Sequence, residues 1–477
     1  MSEPVRPHVV VVGGGISGLA AAHALASAGG VRVTVLEGSA RLGGKLAGGT
    51  VAGVGVDLGA ESVLARRPEA VDLIKAVGLA DELTHPATTT AGLWVGGRMR
   101  PLPPTVMGVP VDVPAAADVL GPDGTAAAYG DGTQPPPGLR DDVAIGRFVA
   151  DRMGRAVSDR LVDPLLGGVY AGRADEISLA AAVPELFARL RTAPSLLAAA
   201  EDVRAAGQRS APGPVFAGIR GGVHQLIAAL RRELERLGVE VRTRCTVRRI
   251  ARYHQAEVSG FAVEAGPVPA PELLTADAVV VAAPARPASR MLEDLAPAAA
   301  AELAAIEYAS MAIVTLAVRR DRWPAVATGS GFLVPSVEGR TIKAATYSHA
   351  KWDWTAQAGG ELVVLRCSVG RLGEERILQR EDADLVAAAV ADLGDAIGLD
   401  AQVIDSTVTR WGGALPQYAV GHLDRVDHVE RAVAAVPGLA VCGAAYRGLG
   451  IAACVASGTS AATRVREHLD RLATMAP

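Results

Sequence analysis

The sequence predicts an α/β protein in which a parallel sheet is covered by helices. Three observations support this fold class. Residues 8–38 follow the order strand, tight turn, helix, strand, which is the order of a βαβ unit. Two further runs, at 278–282 and 438–442, are short and continuously apolar, as strands buried on both faces of a sheet usually are. The second run is followed by a turn and a long helical pattern, so the sheet is expected to draw strands from both ends of the chain.

The N-terminal βαβ unit is predicted in detail. A strand is expected at 8–12, a turn at 13–18, and an Ala- and Leu-rich helix at 16–28 that ends at Gly29 and Gly30. The second strand is expected at 31–36.

The rest of the chain is predicted more coarsely. Residues 101–140 are rich in Pro and Gly and are expected to form loops around short helices, whereas 141–210 have helical spacing. The later predicted elements are an amphipathic helix over 223–237, a strand pair at 239–243 and 245–250, β-rich sequence over 306–370, and helices at 382–398 and at about 450–473.

Composition and charge exclude several classes of protein. The net charge is −4, from 47 basic and 51 acidic residues, so the chain lacks the basic excess of a nucleic-acid binder. The four cysteines form no CxxC pair, so no metal site, dithiol site or disulfide framework is predicted. Only four valines precede the first glycines and no 18-residue apolar run occurs, so neither a signal peptide nor a transmembrane helix is expected. These features predict a cytoplasmic protein.

The strongest functional signal is a glycine-rich turn that matches GxGxxG. It follows a predicted strand and opens a predicted helix, and Glu37 ends the next strand. This context is the dinucleotide-binding fingerprint, in which the helix N-terminus binds a pyrophosphate and the carboxylate accepts hydrogen bonds from a ribose. A tight βα turn without a ligand is the alternative. The candidate residues of the turn are Gly13, Gly14, Gly15, Ile16, Ser17 and Gly18.

Three further segments favour FAD over NAD as the dinucleotide. Residues 37–45 (ExxxRxGGK) resemble the second motif of flavin-dependent amine oxidases, and residues 56–62 resemble the segment that passes the flavin ring in that superfamily. Residues 441–451 form another glycine-rich turn before a helix, whose dipole would stabilise negative charge on a reduced flavin. The cofactor-binding candidates added by these segments and by the resemblance are Gly38, Arg41, Gly43, Gly44, Lys45, Gly59, Ala60, Glu61, Ser62, Val247, Trp411, Gly443, Leu449, Gly450 and Ile451.

Two more selective motifs point to one family. Residues 161–172 contain DPLLGGVYAG, and residues 410–422 contain RW followed by LPQYAVGH. Both are similar to segments of the protoporphyrinogen/coproporphyrinogen oxidase family, within the amine-oxidase superfamily. The resemblance extends from about residue 8 to residue 465 and is greatest to the Gram-positive type of that family.

The resemblance implies a reaction. It implies FAD-dependent oxidation of coproporphyrinogen III to coproporphyrin III in haem biosynthesis, with six electrons removed in three flavin cycles. Molecular oxygen would be the acceptor and hydrogen peroxide the product. Because the cofactor supplies the chemistry, no acid–base pair is required and no catalytic side chain is predicted. His422 is interpreted as a structural histidine, with a role as a base as the alternative.

The resemblance also implies cations that bind the substrate propionates, because Arg suits bidentate carboxylate binding. The candidates are Arg66, Arg67, Lys351 and Arg366, and Tyr170 is a candidate for lining the macrocycle pocket. For each cation the alternative is an ordinary surface or core-paired charge, and for Tyr170 it is ordinary packing.

Several alternatives stay open from the sequence. The substrate could be protoporphyrinogen IX, and the chain could be a flavin amine oxidase, a desaturase or a flavin-free binding module. Peripheral membrane contact and transient contact with other enzymes of haem synthesis are also left open.

The spacing of the motifs predicts a discontinuous Rossmann-like FAD-binding domain, a mixed-sheet substrate domain and a helical insert. The FAD-binding domain is expected to comprise 1–62, 215–285 and 405–477, the substrate domain 63–85 and 286–404, and the insert 86–214.

Overall fold

The structure is a computed structural model that describes residues 6–210, 213–255 and 258–475. Residues 1–5, 256–257 and 476–477 of the predicted FAD-binding domain and 211–212 of the predicted insert lie outside the described residues.

The described chain contains both helices and strands. The strands are β1 His8–Val12, β2 Arg32–Leu36, β3 Gly48–Val51, β4 Val54–Asp57, β5 Val63–Leu64, β6 Leu83–Thr84, β7 Gly92–Val95, β8 Arg98–Pro101, β9 Thr105–Val106, β10 Val109–Pro110, β11 Phe216–Ile219, β12 Glu240–Arg242, β13 Val247–Gln255, β14 Val258–Ala265, β15 Glu272–Ala276, β16 Ala278–Val281, β17 Tyr308–Arg319, β18 Gly331–Leu333, β19 Ile342–Thr346, β20 Leu362–Val369, β21 Val403–Pro416 and β22 Leu439–Val441. The helices are α1 Ile16–Ser27, α2 Pro68–Ala76, α3 Val113–Tyr129, α4 Ile145–Met153, α5 Arg155–Val157, α6 Asp163–Tyr170, α7 Leu179–Ala182, α8 Pro184–Arg189, α9 Leu196–Ser210, α10 Gln225–Arg236, α11 Ala285–Leu292, α12 Pro297–Ala304, α13 Ser348–Lys351, α14 Asp353–Gly359, α15 Asp382–Ile397, α16 His422–Ala434 and α17 Ile451–Met475.

A five-stranded parallel sheet forms the first layer, in the order β12-β2-β1-β16-β22. Every residue of β1 and of β16 is buried, which explains their continuous apolar runs. Because β16 pairs with β1 and β22 pairs with β16, the sheet does draw on both ends of the chain. The predicted α/β class with a Rossmann-like sheet is therefore confirmed.

A seven-stranded mixed sheet forms the second main layer, in the order β21-β17-β20-β19-β18-β7-β8. Its long strand β17 pairs antiparallel with both β20 and β21, while β18 and β7 are parallel. Alternate residues of β17 and β20 pack against apolar residues of α15, including Leu385 and Leu393. The other face of the sheet is left for the β3–β4 hairpin and for the cavity described below.

A helical region built from α3 to α9 has its own apolar core, which includes Val149, Leu161, Leu186 and Leu196. The predicted helical character of 141–210 is confirmed by α4 to α9. Among the described helices, none is long and apolar enough to cross a membrane.

Residues 113–129, labelled α3, are two short helices that meet at Gly121, within the segment where loops around short helices were expected. Gly121 has φ of 73° and Pro122 follows it, so the second helix starts with Pro at its first position, where it is tolerated. The predicted strand pair at 239–243 and 245–250 was wrong, because β12 joins the parallel sheet beside β2 while β13 pairs with β14.

The three-domain division remains a prediction, but the sheets place two of its segments differently. β7 and β8, which the sequence assigns to the helical insert, belong to the seven-stranded sheet. β21, which the sequence assigns largely to the FAD-binding domain, is the edge strand of that same sheet. Both assignments depend on long-range pairing, which local patterns do not encode.

A buried lysine lies where β19 packs against the end of α6. The side chain of Lys343 is 3% exposed, and its Nζ donates a long hydrogen bond of 3.4 Å to the Gly167 carbonyl. A cation near a helix C-terminus is favourable, but burial disfavours the charged form and Arg371 adds repulsion. Burial and Arg371 together lower the pKa of Lys343 to about 7, against weak attraction from Glu374.

We predict that Lys343→Met removes part of the pH dependence of stability. Above pH 7 the folded chain releases the Lys343 proton, whereas the unfolded lysine keeps it up to about 10.5. Between pH 7 and about pH 10.5, this group should therefore raise the free energy of unfolding of the wild type by up to about 1.4 kcal/mol per pH unit. Urea unfolding at pH 7 and pH 9 measures the free energy of unfolding, and Lys75→Met, at an exposed position of α2, is the control. An equal change in the free energy of unfolding between the two pH values in Lys343→Met and in the wild type would contradict the prediction.

Candidate active site

A cavity of about 720 Å³ lies at the carboxyl ends of the parallel strands. Gly13 follows β1, Glu37 follows β2, Ala282 follows β16 and Gly443 follows shortly after β22, and all four line it. Ligands of open parallel sheets bind at this edge, and the volume falls within the roughly 300–1,000 Å³ typical of small-molecule sites. The fold therefore brings the three predicted glycine-rich segments to one place.

The turn between β1 and α1 forms one wall. Gly13 has φ of 109°, and a Cβ there would lie 2.7 Å from the Ala282 carbonyl oxygen. Gly15 has open space where a Cβ would be, and no side-chain hydrogen bond caps α1 there. Among the described residues no side chain therefore caps the start of the helix, where backbone N–H groups and the dipole favour an anion. Ile16 and Ser17 also line the cavity.

Two predicted glycines of this turn serve packing rather than the cavity wall. A Cβ on Gly18 would lie 1.9 Å from the Gly13 carbonyl oxygen, so glycine is required for α1 to pack against the end of β1. A Cβ on Gly14 would lie 2.5 Å from the Leu42 side chain, and its N–H is donated to Glu37.

Glu37 is oriented by the backbone. Its Oε2 accepts a 2.7 Å hydrogen bond from the Gly14 N–H and its Oε1 accepts one of 2.7 Å from the Ser39 N–H. Each oxygen keeps a lone pair for a further donor such as a ribose hydroxyl. Gly38 lines the cavity beside it and lies close to Thr246, which precedes the cavity residue Val247.

Lys45 is the most informative charged residue of the site. It lines the cavity together with Arg41, Gly43 and Gly44. Burial lowers the pKa of Lys45, and within the described part of the chain its Nζ has neither a hydrogen-bond nor an ion-pair partner. A partly buried cation without a counter-ion favours an anionic ligand at this point.

The opposite wall begins with Gly443, Leu449 and Ile451, at the start of α17. Gly443 has φ of 136° and open space at its Cβ position. The predicted residue Gly450 is exposed and does not line the cavity, because its carbonyl turns into α17 and accepts the Cys454 N–H.

The segment before the β3–β4 hairpin and the segment after it are in contact near the cavity. Gly59 and Ala60 line the cavity, and a Cβ on Gly59 would lie 1.9 Å from the Lys45 carbonyl oxygen. Trp411 also lines it and donates its Nε1–H to the Leu58 carbonyl at 2.9 Å, while the Arg41 guanidinium lies 5.5 Å from the centre of its ring.

Sequence reasoning missed an apolar wall supplied by the mixed sheet and by α11. No local motif marks these residues, since they meet the cavity only through strand pairing and helix packing. They include Tyr308, Met311 and Ile313 of β17, Ala414 and Leu415 of β21, and Pro284, Pro287 and Met291 around α11.

Glu61 and Ser62 do not line the cavity, because Glu61 turns toward two cations. Its carboxylate forms ion pairs with Lys351 and with Arg366, the latter at 2.6 Å from Nη1 to Oε2, and Arg366 also donates to the Gly59 carbonyl. Burial alone would raise the pKa of Glu61, but the two cations lower it to about 2. Glu61, which was expected to bind the cofactor, and Lys351 and Arg366, which were expected to bind the substrate, thus form one cluster. We call it the Glu61 cluster, and its formal net charge is +1.

The remaining predicted substrate residues lie away from the cavity wall. Arg67 is exposed and pairs with Glu69 at 2.8 Å from Nη2 to Oε1. Arg66 is not among the cavity residues either. Tyr170 is buried, with its ring centre 5.4 Å from that of Tyr418, and it is the preceding residues Gly168 and Val169 that line the cavity.

His422 occupies a structural position. Its ring stacks on Tyr418 with 3.8 Å between centres, and its Nε2 lies 2.8 Å from the Tyr446 carbonyl oxygen. Burial lowers the pKa of His422 to about 4, so the ring is neutral at physiological pH. These contacts favour the structural interpretation over the alternative role as a base.

The residues present fit a dinucleotide of the FAD type. Backbone N–H groups at the start of α1 and the unpaired Lys45 suit a pyrophosphate, Glu37 suits a ribose, and the apolar wall suits a ring system. Among the described residues, no group of three or more His, Cys, Asp or Glu side chains could hold a metal ion.

Comparisons with known proteins agree with this geometry. The model of the flavin containing amine oxidoreductase family matches residues 16–466. The coproporphyrinogen III oxidase of Mycobacterium tuberculosis (strain ATCC 25618 / H37Rv) is 37% identical over 468 residues, which is 96% of this chain and 97% of that protein. The coproporphyrinogen III oxidase of Bacillus subtilis (strain 168) is 29% identical over 477 residues, covering 97% and 99% of the two chains.

A solved structure of a candidate protoporphyrinogen oxidase from Exiguobacterium sp. 255-15 superposes with a TM-score of 0.83 at 30% identity, covering 98% of this chain and 100% of that one. The family match extends over nearly the whole chain and agrees with the cavity, and it supports FAD as the cofactor. The chain therefore belongs to the flavin-containing amine oxidoreductase family and is an FAD-dependent oxidoreductase.

Proposed function

We propose that the protein oxidises coproporphyrinogen III to coproporphyrin III in haem biosynthesis. The observation that carries the proposal is the 37% identity, over nearly the full length of both chains, to a relative that bears the name of this activity. The Glu61 cluster supports it, because a substrate with four propionates needs cations beside the flavin cavity. Protoporphyrinogen IX, with two propionates, is the second candidate, because the structural neighbour from Exiguobacterium carries that name.

The proposed reaction balances over three rounds. Each round removes two electrons and two protons from the macrocycle and passes them to one molecule of oxygen, which becomes hydrogen peroxide. Bound FAD supplies the hydride acceptor of each round. The protein's part is to bind and orient both molecules and to exclude water.

The cofactor contacts that we propose follow from the cavity. The backbone at the start of α1, from Gly15 to Ser17, and the side chain of Lys45 bind the pyrophosphate, and Glu37 binds a ribose. The apolar residues of β17 and β21 pack against the ring system, and the start of α17 faces it across the cavity. Val247 lines the cavity at the start of β13 and is proposed for the adenine end.

The macrocycle is proposed to lie against the end of α6. Gly168 and Val169 line the cavity, and Val169 is exposed. Among the described residues outside its own helix, only Leu333 comes within 4 Å of the Cβ position of Gly168. A short apolar segment without a bulky side chain lets a flat ring approach the backbone closely.

The Glu61 cluster is proposed to bind a propionate. Arg366 pairs in register with Thr315, which points to the same sheet face as the cavity residue Ile313. Within the described residues, both Arg366 Nε and Thr315 Oγ1 are buried without a hydrogen-bond partner. Unsatisfied polar atoms next to a net positive cluster suit a carboxylate.

The cytoplasmic location and contacts with other enzymes of haem synthesis stay predictions of the sequence.

We predict that the purified holoenzyme oxidises coproporphyrinogen III faster than protoporphyrinogen IX at equal concentration. Porphyrin fluorescence measures both products side by side, and oxygen uptake measures the acceptor. The physical reason is that the additional propionates give additional charge-assisted contacts. Faster oxidation of protoporphyrinogen IX would select the second candidate.

We predict that Glu37→Ala weakens FAD binding by roughly tenfold to a hundredfold, since it removes a charged acceptor from a ribose and from two backbone N–H groups. The measurement is the recovery of flavin fluorescence as FAD leaves the diluted holoenzyme. Glu235→Ala, an exposed acid on α10, is the control. Equal FAD release from Glu37→Ala and wild type would remove Glu37 from this role.

We predict that Lys351→Met raises the KM for coproporphyrinogen III roughly tenfold while kcat falls less than twofold. A propionate contact is present in both the ground state and the transition state, so its loss weakens binding uniformly. The exposed Arg249 of β13 supplies the control variant Arg249→Ala. A fall in kcat with KM unchanged would contradict a binding role for Lys351.

A further inference from the structure

The turn between β22 and α17 sets the position of one cavity wall. Gly443, Ala444, Ala445 and Leu449 of this turn line the cavity, and α17 begins immediately after it. Gly448 has φ of 143°, and a Cβ there would lie 2.6 Å from the Ala453 side chain, so the backbone path is narrowly defined.

The Tyr418 side chain ties two points of this turn together. The Tyr418 hydroxyl donates a hydrogen bond to the Ala444 carbonyl (2.7 Å from Oη to O) and accepts one from the Gly448 N–H (2.8 Å from N to Oη). The two points are therefore tied through one oxygen atom. Tyr418 is fully buried, so water does not replace these bonds.

Tyr418 is itself fixed by the helical region. Its ring stacks on His422 at an interplanar angle of 15°, and it lies against Tyr170 at the end of α6. Its carbonyl accepts the Ser178 N–H at 2.7 Å. The hydroxyl thus reaches the turn from a rigid support outside the parallel sheet.

We propose that Tyr418 is a positioning residue for the flavin, and that its hydroxyl holds the start of α17 against the bound cofactor. The inference rests on the FAD contacts proposed above, but it does not depend on which porphyrinogen is the substrate. Helix N-termini stabilise negative charge, so the position of α17 affects reduced FAD more than oxidised FAD. Without the hydroxyl, the Ala444 carbonyl and the Gly448 N–H lose their partner and the turn relaxes.

The experiment compares Tyr418→Phe with Tyr446→Phe in the holoenzyme. Tyr446 follows Ala445 in the same turn, and its hydroxyl is buried without a hydrogen-bond partner among the described residues, so its removal is a matched control. Two properties are measured: the rate of FAD release by flavin fluorescence, and the midpoint potential by spectroscopic redox titration.

Tyr418→Phe is expected to release FAD roughly tenfold faster, and to weaken the binding of reduced FAD roughly tenfold more than that of oxidised FAD. A tenfold difference for a two-electron couple lowers the potential by about 30 mV. Tyr446→Phe is expected to change neither property. Wild-type values of both properties in Tyr418→Phe, or equal changes in the two variants, would overturn the proposal.

A second variant covers the case in which Tyr418→Phe does not fold. Ser457 of α17 accepts the Gly443 N–H at 3.1 Å from N to Oγ, at the other end of the same turn. Ser457→Ala is expected to change FAD release and the potential in the same direction, but less. Unchanged values there, with no folded Tyr418→Phe, would also overturn the proposal. Because neither property involves a porphyrinogen, failure of this inference is distinct from failure of the substrate assignment.

Discussion

Close helix packing through glycine is the constraint on which the site depends. A Cβ on Gly18 would lie 1.9 Å from the Gly13 carbonyl oxygen, and a Cβ on Gly458 would lie 2.2 Å from the Ser17 carbonyl oxygen. These two glycines let α1 approach the end of β1 and let α17 approach α1. The N-termini of both helices therefore reach the same cavity, and each brings the positive end of its dipole to it. Without this close packing, two segments more than 400 residues apart in sequence could not line the same cavity.

The sequence predicted the parts of the site that depend on local backbone geometry. The turn at 13–18, the carboxylate of Glu37 and the turn before α17 each need glycine or a strand end at a fixed spacing, and such requirements are visible in a short segment. The apolar wall was not predictable in this way. Ile313 and Leu415 meet the cavity because β17 pairs with β21 across about 95 residues, and nothing local in either strand specifies that partner.

Long-range charge pairing explains the other difference between expectation and structure. Glu61 lies within the segment 56–62 that was expected to pass the flavin ring, so the sequence analysis assigned it to the cofactor. In the structure it pairs with Lys351 and Arg366, which are about 290 and 305 residues away. A motif gives the position of a carboxylate along the chain, but only the fold determines which cation is close enough to pair with it.

The buried lysines of this chain show that burial alone does not define a binding cation. Lys343 donates to a helix carbonyl, whereas Lys45 faces the cavity and has no hydrogen-bond or ion-pair partner among the described residues. Lys351 is already paired with Glu61, so its charge is partly neutralised before any substrate arrives. An unpaired cation gains most from its ligand, while a paired one gains less because the existing pair already offsets its desolvation. With Lys45 proposed for the cofactor and Lys351 for the substrate, this difference would suit a protein that retains FAD through many turnovers and releases its product after each one.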